Sequence, residues 1–216
     1  MFQANDDNDD NDDDDDKKKK KSRRRVGVEW KPYLLDKSFP LEKQPIEEFA
    51  ERKFGSGWKK GFDRIRKEGA KDGAPFADWK WRCNTLKALQ LVEFAHTKDG
   101  IDTSKTKQAL FEALYEHGQD VSDMDTLVRI AMEQQVGLSP SLETELREYL
   151  ENDKGADEIH RQIKEGVQKY RIRGVPFFVV QDDDQEGSSS KPYGISGAHD
   201  PETFLELFEE LSGEAN

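Results

Sequence analysis

Residues 84–170 read as one amphipathic helix after another, and they lie between two stretches with strand character. That order limits the fold more than any other feature of the chain. The first stretch, VGVEWKPYLL, alternates Val26, Val28 and Trp30 on one face, which is the period of a strand, and Pro32 ends it. The second, VPFFVV, is apolar, aromatic and β-branched, as a buried strand is. Its proline cannot donate to a ladder, so Pro176 belongs at a strand's first position, at an edge or in a bulge. YGISG follows a polar loop and predicts a short partner strand, making an antiparallel hairpin. A helical block between strands of one sheet is an enlarged crossover, which normally joins parallel strands. The expectation is an α/β fold, a sheet domain with a helical domain inserted in it.

Inside the block, NTLKALQLVEFAH places Leu86, Leu89, Leu91, Val92 and Ala95 mostly on one stripe. Leu110, Phe111 and Leu114 form the apolar side of the next helix, with Gly118 suited to its C-cap. Leu127, Ile130 and Ala131 follow. Ser139 and Pro140 then open a helix as N-cap and first position, and Ile159, Ile163 and Val167 recur four apart. Outside the block, residues 45–69 are helical with a break near GSGWKKG, anchored by Ile46, Phe49, Phe54, Phe62 and Ile65. HDPETFLELFEEL predicts a last helix capped by Asp200 and Pro201, with Phe204, Leu205, Phe208 and Leu211 buried.

Residues 1–25 hold nine Asp against five Lys and three Arg, so −11 of the chain's net −12 belongs to the rest. So biased a tail cannot bury enough apolar surface to offset its ordering entropy, and disorder is expected there. Its basic half, residues 17–25, is either a solvated linker or a nuclear localisation signal. The acidic body argues against a general nucleic-acid binder. A single cysteine, Cys83, excludes an intramolecular disulfide and a Cys-rich metal site. His96, His117 and His160 fall on separate helices without ligand spacing, so no metal is expected. No apolar run approaches ~18 residues, and the first residues lack an apolar signal core. A cytoplasmic protein without membrane contact is expected, with the nucleus as the alternative.

VEWKPYLL, NTLKALQLVEFA, ALFEALYEHGQDVSD, LVRIAMEQQVGL, RIRGVPFFVV and ISGAHDPETFLELF occur in the order of the DsbA-like thioredoxin family. The chain resembles that family from about Val26 to Leu211, and within it the FrnE-like branch, which borders 2-hydroxychromene-2-carboxylate isomerases and kappa-class glutathione transferases. The resemblance implies a thioredoxin-like sheet domain made of residues 26–82 and 171–216, with residues 83–170 as its helical insertion. It implies thiol–disulfide oxidoreductase chemistry on thiol or disulfide peptides, proteins or small molecules, with glutathione the one ligand it brings in and no other cofactor. It also makes Val175–Pro176 the family's cis-proline, presenting the Val175 backbone to an extended substrate.

In that family the cis-proline faces a Cys-x-x-Cys, or a Ser in its place, where a helix N-terminus lowers the thiol pKa. Here the matching place holds only the charged tail, with Ser22 alone in it. The first strand and helix count as missing, and no catalytic residue is assigned. Three explanations compete: a true start upstream of Met1, which is favoured; a degenerate homologue; or completion by another chain. As written, the chain is expected to be redox-inactive. A glutathione-dependent isomerase or transferase, and a non-catalytic module using the cis-proline groove, are the alternatives. The candidate site residues are Val175 and Pro176, Asn84 beside the cleft, and Ser196, Gly197 and His199. These last resemble the segment that meets a ligand carboxylate in glutathione-using relatives. Cys83 is a candidate reactive thiol, favoured by a helix start and by Lys80 and Arg82. Trp79 and Trp81 border a cleft or serve as packing.

Overall fold

The computed structural model describes residues 26–181 and 192–212. The charged run, with its expected disorder and localisation signal, lies outside the described residues, as do residues 182–191 of the polar loop. The chain divides into two units, Trp30–His199 and a second that holds the C-terminal helix.

Residues 26–30 form no strand, contrary to their alternation. Val26, Val28 and Trp30 are 62%, 74% and 56% exposed. Alternation gives a segment two faces, but a strand also needs a ladder partner for its backbone. Among the described residues no strand pairs with it. The Trp30 ring instead receives the Lys107 ammonium, 4.7 Å from its centroid. The expected parallel crossover is absent too, because both ladders among the described residues are antiparallel.

The first ladder joins β1 (Gln44–Pro45) to β2 (Trp81–Arg82), in a stretch whose sequence reads as a polar loop. Between them run α1 (Ile46–Phe54), a 3-10 turn at Gly55–Gly57 and α2 (Trp58–Lys71), so the break falls at the GSG. Ile46, Ala50 and Phe62 are buried together, with Phe49, Trp58 and Trp79 packed on them. Phe54 and Ile65, expected as anchors, are exposed. The pair of helices buries one side only, and Phe54 sits where the chain turns.

The helical block comprises α3 (Leu86–His96), α4 (Thr103–Phe111), which runs on as a π-helical turn at Glu112–Glu116, α5 (Met124–Ala131), a 3-10 turn (Pro140–Leu142) leading into α6 (Glu143–Glu151), and α7 (Ala156–Tyr170). Leu91, Phe94, Leu127, Ile130, Leu146 and Leu150 fill its core. Asp102 and Asp123 cap α4 and α5 by accepting from Ser104 N and Thr126 N, at 2.9 and 2.8 Å. Two polar residues of α3 serve the far end of α6 and the turn after it, where carbonyls lack helical partners. Lys87 Nζ donates to Leu150 O at 2.6 Å and Gln90 Nε2 to Lys154 O at 3.0 Å. Phe111, expected inside, is exposed. Leu110 and Leu114 take the inner face, and Phe111 stacks on Tyr115 one turn on. Val167 is likewise exposed, beyond the buried Ile159 and Ile163.

Gly118 works as a terminator through close approach. Its φ is +58°, and a Cβ there would lie 2.6 Å from Asp78 O. Its own carbonyl accepts from Trp81 Nε1 at 3.0 Å. Trp79 stacks on Phe62 at 5.0 Å and stands edge-on to Tyr115 at 5.0 Å, so it touches both hydrophobic clusters. Both tryptophans therefore pack.

The second ladder pairs β3 (Phe177–Val180) with β4 (Tyr193–Ser196) as the expected hairpin, from Phe177 opposite Ser196 to Val180 opposite Tyr193. In the second unit, α8 (Pro201–Ser212) buries Leu207 and leaves Leu205, alone of the four residues expected inside, 59% exposed. Phe204, Leu207, Phe208 and Leu211 make the i, i+3, i+4, i+7 stripe, from which Leu205 is displaced.

Candidate functional site

The mouth of the β3–β4 hairpin gathers most of the candidate residues. Proline at the entry to β3 has no N–H to give, so its carbonyl is what the neighbouring strand can use. Gly197 N donates to Pro176 O at 2.9 Å, which carries the contact one step beyond the Phe177–Ser196 pair. Gly197 turns away from the ladder at φ +95°. His199 Nε2 lies 3.2 Å from Ser196 O, closing the turn. Gly194 makes room for the Phe177 ring, which would stand 3.1 Å from any Cβ added there. The Val175–Pro176 peptide is cis, and Val175 is 46% exposed. The fold thus brings Val175, Pro176, Ser196, Gly197 and His199 to one place.

Cys83 and Asn84 belong to a different neighbourhood, at the start of α3 and against the helical core. Cys83 Sγ donates to Asp120 Oδ1 at 3.3 Å. Burial pushes its thiol up, and the adjacent Asp120 carboxylate pushes it further, to about 12. The cations expected to favour a thiolate are engaged elsewhere. Lys80 pairs with Asp78 at 2.7 Å and Arg82 with Asp36 at 2.8 Å. Cys83 is therefore a half-buried thiol held in its protonated form, which speaks against its candidacy as a reactive thiolate. Asn84 is committed within the chain: Nδ2 donates to Phe39 O at 2.7 Å, and Oδ1 accepts from Leu86 N at 3.0 Å. It pins the 36–45 loop to the first turn of α3.

Two carboxylates that sequence reasoning missed organise this neighbourhood. Asp120 is opposed by burial, but hydrogen bonds from the Ser122 hydroxyl and N–H, from Cys83 and from Lys43 outweigh it and hold the carboxyl below its usual range. Lys43 Nζ sits 3.3 Å from Asp120 Oδ2 and 4.5 Å from the Trp81 ring centroid. Asp36 is held low by the Ser38 hydroxyl and by Arg82. The Arg82 guanidinium lies 4.1 Å from the ring centroids of both Phe39 and Phe49. Both carboxylates stand in Asp-x-Ser and accept the N–H two residues on, at 3.1 Å for Asp36 and 2.9 Å for Asp120. That local turn was the available signal. Asp36 and Arg82 also line an open groove of about 540 Å³, together with Phe39, Lys43, Glu48 and Arg52, among others. Among the described residues no group of His, Cys, Asp and Glu is arranged to hold a metal ion.

No curated protein matches the chain. Among solved structures, a probable DsbA oxidoreductase from Streptomyces coelicolor shares the fold, with a TM-score of 0.64 and 24% identity over 85% of this chain and 74% of that one. The DSBA-like thioredoxin domain matches residues 14–209, which takes in the helical block, the cis-proline hairpin and most of the C-terminal helix. With nearly its whole length matched, the chain belongs to the DSBA-like thioredoxin domain family.

Proposed function

We propose that this member of a thiol-oxidoreductase family is of the FrnE-like kind, and that with the residues it has it binds thiol or disulfide substrates without dithiol turnover. The carrying observation is the state of its one cysteine. Dithiol exchange needs an attacking thiolate and a second sulfur to resolve the mixed disulfide. Cys83 is single, and burial, together with the Asp120 carboxylate 3.3 Å from its Sγ, pushes its pKa up to about 12.

Substrate is held at the hairpin mouth. An extended peptide adds there by main-chain hydrogen bonds to exposed Val175, and Ser196 and His199 flank it. A glutathione-dependent transferase is the competing reading. It has less support, because Gly197 N–H, a donor it would use for the glutathione carboxylate, is already given to Pro176 O.

The test is insulin disulfide reduction with dithiothreitol as reductant, run beside calorimetric titration of glutathione. The expected result is no acceleration over the uncatalysed background and no saturable glutathione heat. Measurable turnover would overturn the reading. Iodoacetamide gives a second check: at pH 8, Cys83 in the folded chain should alkylate at least about 100-fold more slowly than in denaturant, because so little of it is thiolate. Its rate should keep rising with pH beyond 9, where an ordinary thiol levels off.

A further inference from the structure

The charges on α2 are distributed unlike those of any neighbouring helix. The helix carries Lys59, Lys60, Arg64, Arg66, Lys67 and Lys71 against Asp63 and Glu68, in a chain of net charge −12. Lys60, Arg64, Lys67 and Lys71 stand at i, i+4, i+7 and i+11, so they fall on one stripe, on the side away from buried Phe62. All four are exposed. Lys71 pairs with Glu68, and the other two ion-pair neighbours on the helix, Arg66 and Asp63, meet each other. Among the described residues Lys60, Arg64 and Lys67 meet no carboxylate.

An ordinary solvated face looks different, and α7 shows how. There Arg161 lies between Glu158 and Glu165 and bonds to both, so the charges cancel locally. On α2 like charges are set at i,i+3 and i,i+4, a spacing that destabilises a helix. The first turn carries no acidic residue, and Gly61 and Gly69 weaken the interior. Three of the stripe's four cations thus carry no ion pair among the described residues.

From this we infer that the exposed face of α2 is a docking surface for an acidic linear segment of a partner protein. Lys60 to Lys71 spans about 16 Å of helix, with steps of about 4.5–6 Å. An extended peptide places every second side chain on one face at ~6.6 Å intervals. A segment of about seven residues with carboxylates at alternate positions therefore meets the stripe cation by cation. A nucleic acid brings a longer phosphate string against a chain whose net charge repels it. A short acidic peptide engages only the stripe. This inference is independent of the proposed redox state and of the hairpin site.

The test uses the full chain and an octaglutamate peptide, coupled by carbodiimide at low salt and mapped by mass spectrometry. Lys60, Lys67 and Lys71 should capture the peptide at least about fivefold more than the exposed Lys105, Lys154 and Lys164, and the excess should vanish in ~0.5 M salt. In the Lys60→Gln, Arg64→Gln, Lys67→Gln, Lys71→Gln variant, checked for folding by circular dichroism, peptide capture at Lys105, Lys154 and Lys164 should be unchanged. Loss of capture there as well, or no preference for the stripe in the native chain, overturns the inference. So does displacement of octaglutamate by an equal concentration of octathymidylate or of anionic lipid vesicles. Cross-links from the chain's own residues 6–16 in the absence of peptide overturn the partner reading.

Discussion

The helical block and the β3–β4 hairpin are both rich in apolar residues, yet they are packed to very different depths. Leu91, Leu127, Ile130, Leu146 and Leu150 have no exposed surface, whereas all four residues of β3 are only half-buried and β4 is mostly exposed. In the block α3, α4, α5 and α6 each turn their stripes onto two or more others, and the C-terminal end of α6 and the turn after it are tied by Lys87 and Gln90 from α3. The hairpin is two strands, the smallest ladder there is, and such a ladder is marginal by itself. Apolar character marks what favours burial. Depth comes from the number of layers on either side.

The contrast can be broken most directly at its deep end. Leu127→Ala should cost about 2–5 kcal/mol, read as a fall in the urea midpoint at unchanged slope. A loss below ~1 kcal/mol would mean the block is no better packed than the hairpin. Gly118→Ala comes next. Its left-handed backbone and the 2.6 Å approach of Asp78 O leave a methyl group no room, and a loss of about 2–3 kcal/mol is expected. Removing a cap tests the edges of the block: Asp123→Ala should lower stability by about 1 kcal/mol, and Asp123→Asn by much less, since Asn also caps. Val179→Ala in the hairpin should have the smallest effect, under about 1 kcal/mol, because its side chain is already half in water. Hydrogen exchange sharpens the same comparison. Amides of α3 and α5 should exchange only by global unfolding, and those of β3 and β4 by local opening. Equal protection in both would remove the distinction.

What could be read in advance follows the same division. The helices came through because each carries its own evidence: a 3.6-residue stripe, a cap such as Ser139–Pro140, a stop such as Gly118. Leu127, Ile130 and Ala131 fell in the core as their spacing requires. The segment Val26–Trp30 was misread because its alternation was judged without a partner, and pairing is a property of two segments. Phe111 and Leu205 were misplaced by about one position of phase. A π-helical turn follows the first, and in α8 the real stripe begins one residue earlier than the leucine suggests. The closeness of Pro176, Ser196 and Gly197 was legible because a hairpin makes them neighbours. The electrostatics of Cys83 were not. Asp120 is 37 residues away in sequence, and no local pattern says which carboxylate will meet which thiol.

Trp79 touches both hydrophobic clusters at once, face to face with Phe62 and edge to Tyr115. Its indole N–H is held at 2.9 Å by Trp81 O. A ring in that position converts mechanical events into light. If α1 and α2 shift against the helical block, for instance when an acidic peptide loads the outer face of α2, the ring's stacking and its hydrogen bond change together. Its emission should then change in wavelength and in anisotropy. The chain carries its own optical reporter at the joint, readable without a label once Trp30, Trp58 and Trp81 are replaced by phenylalanine.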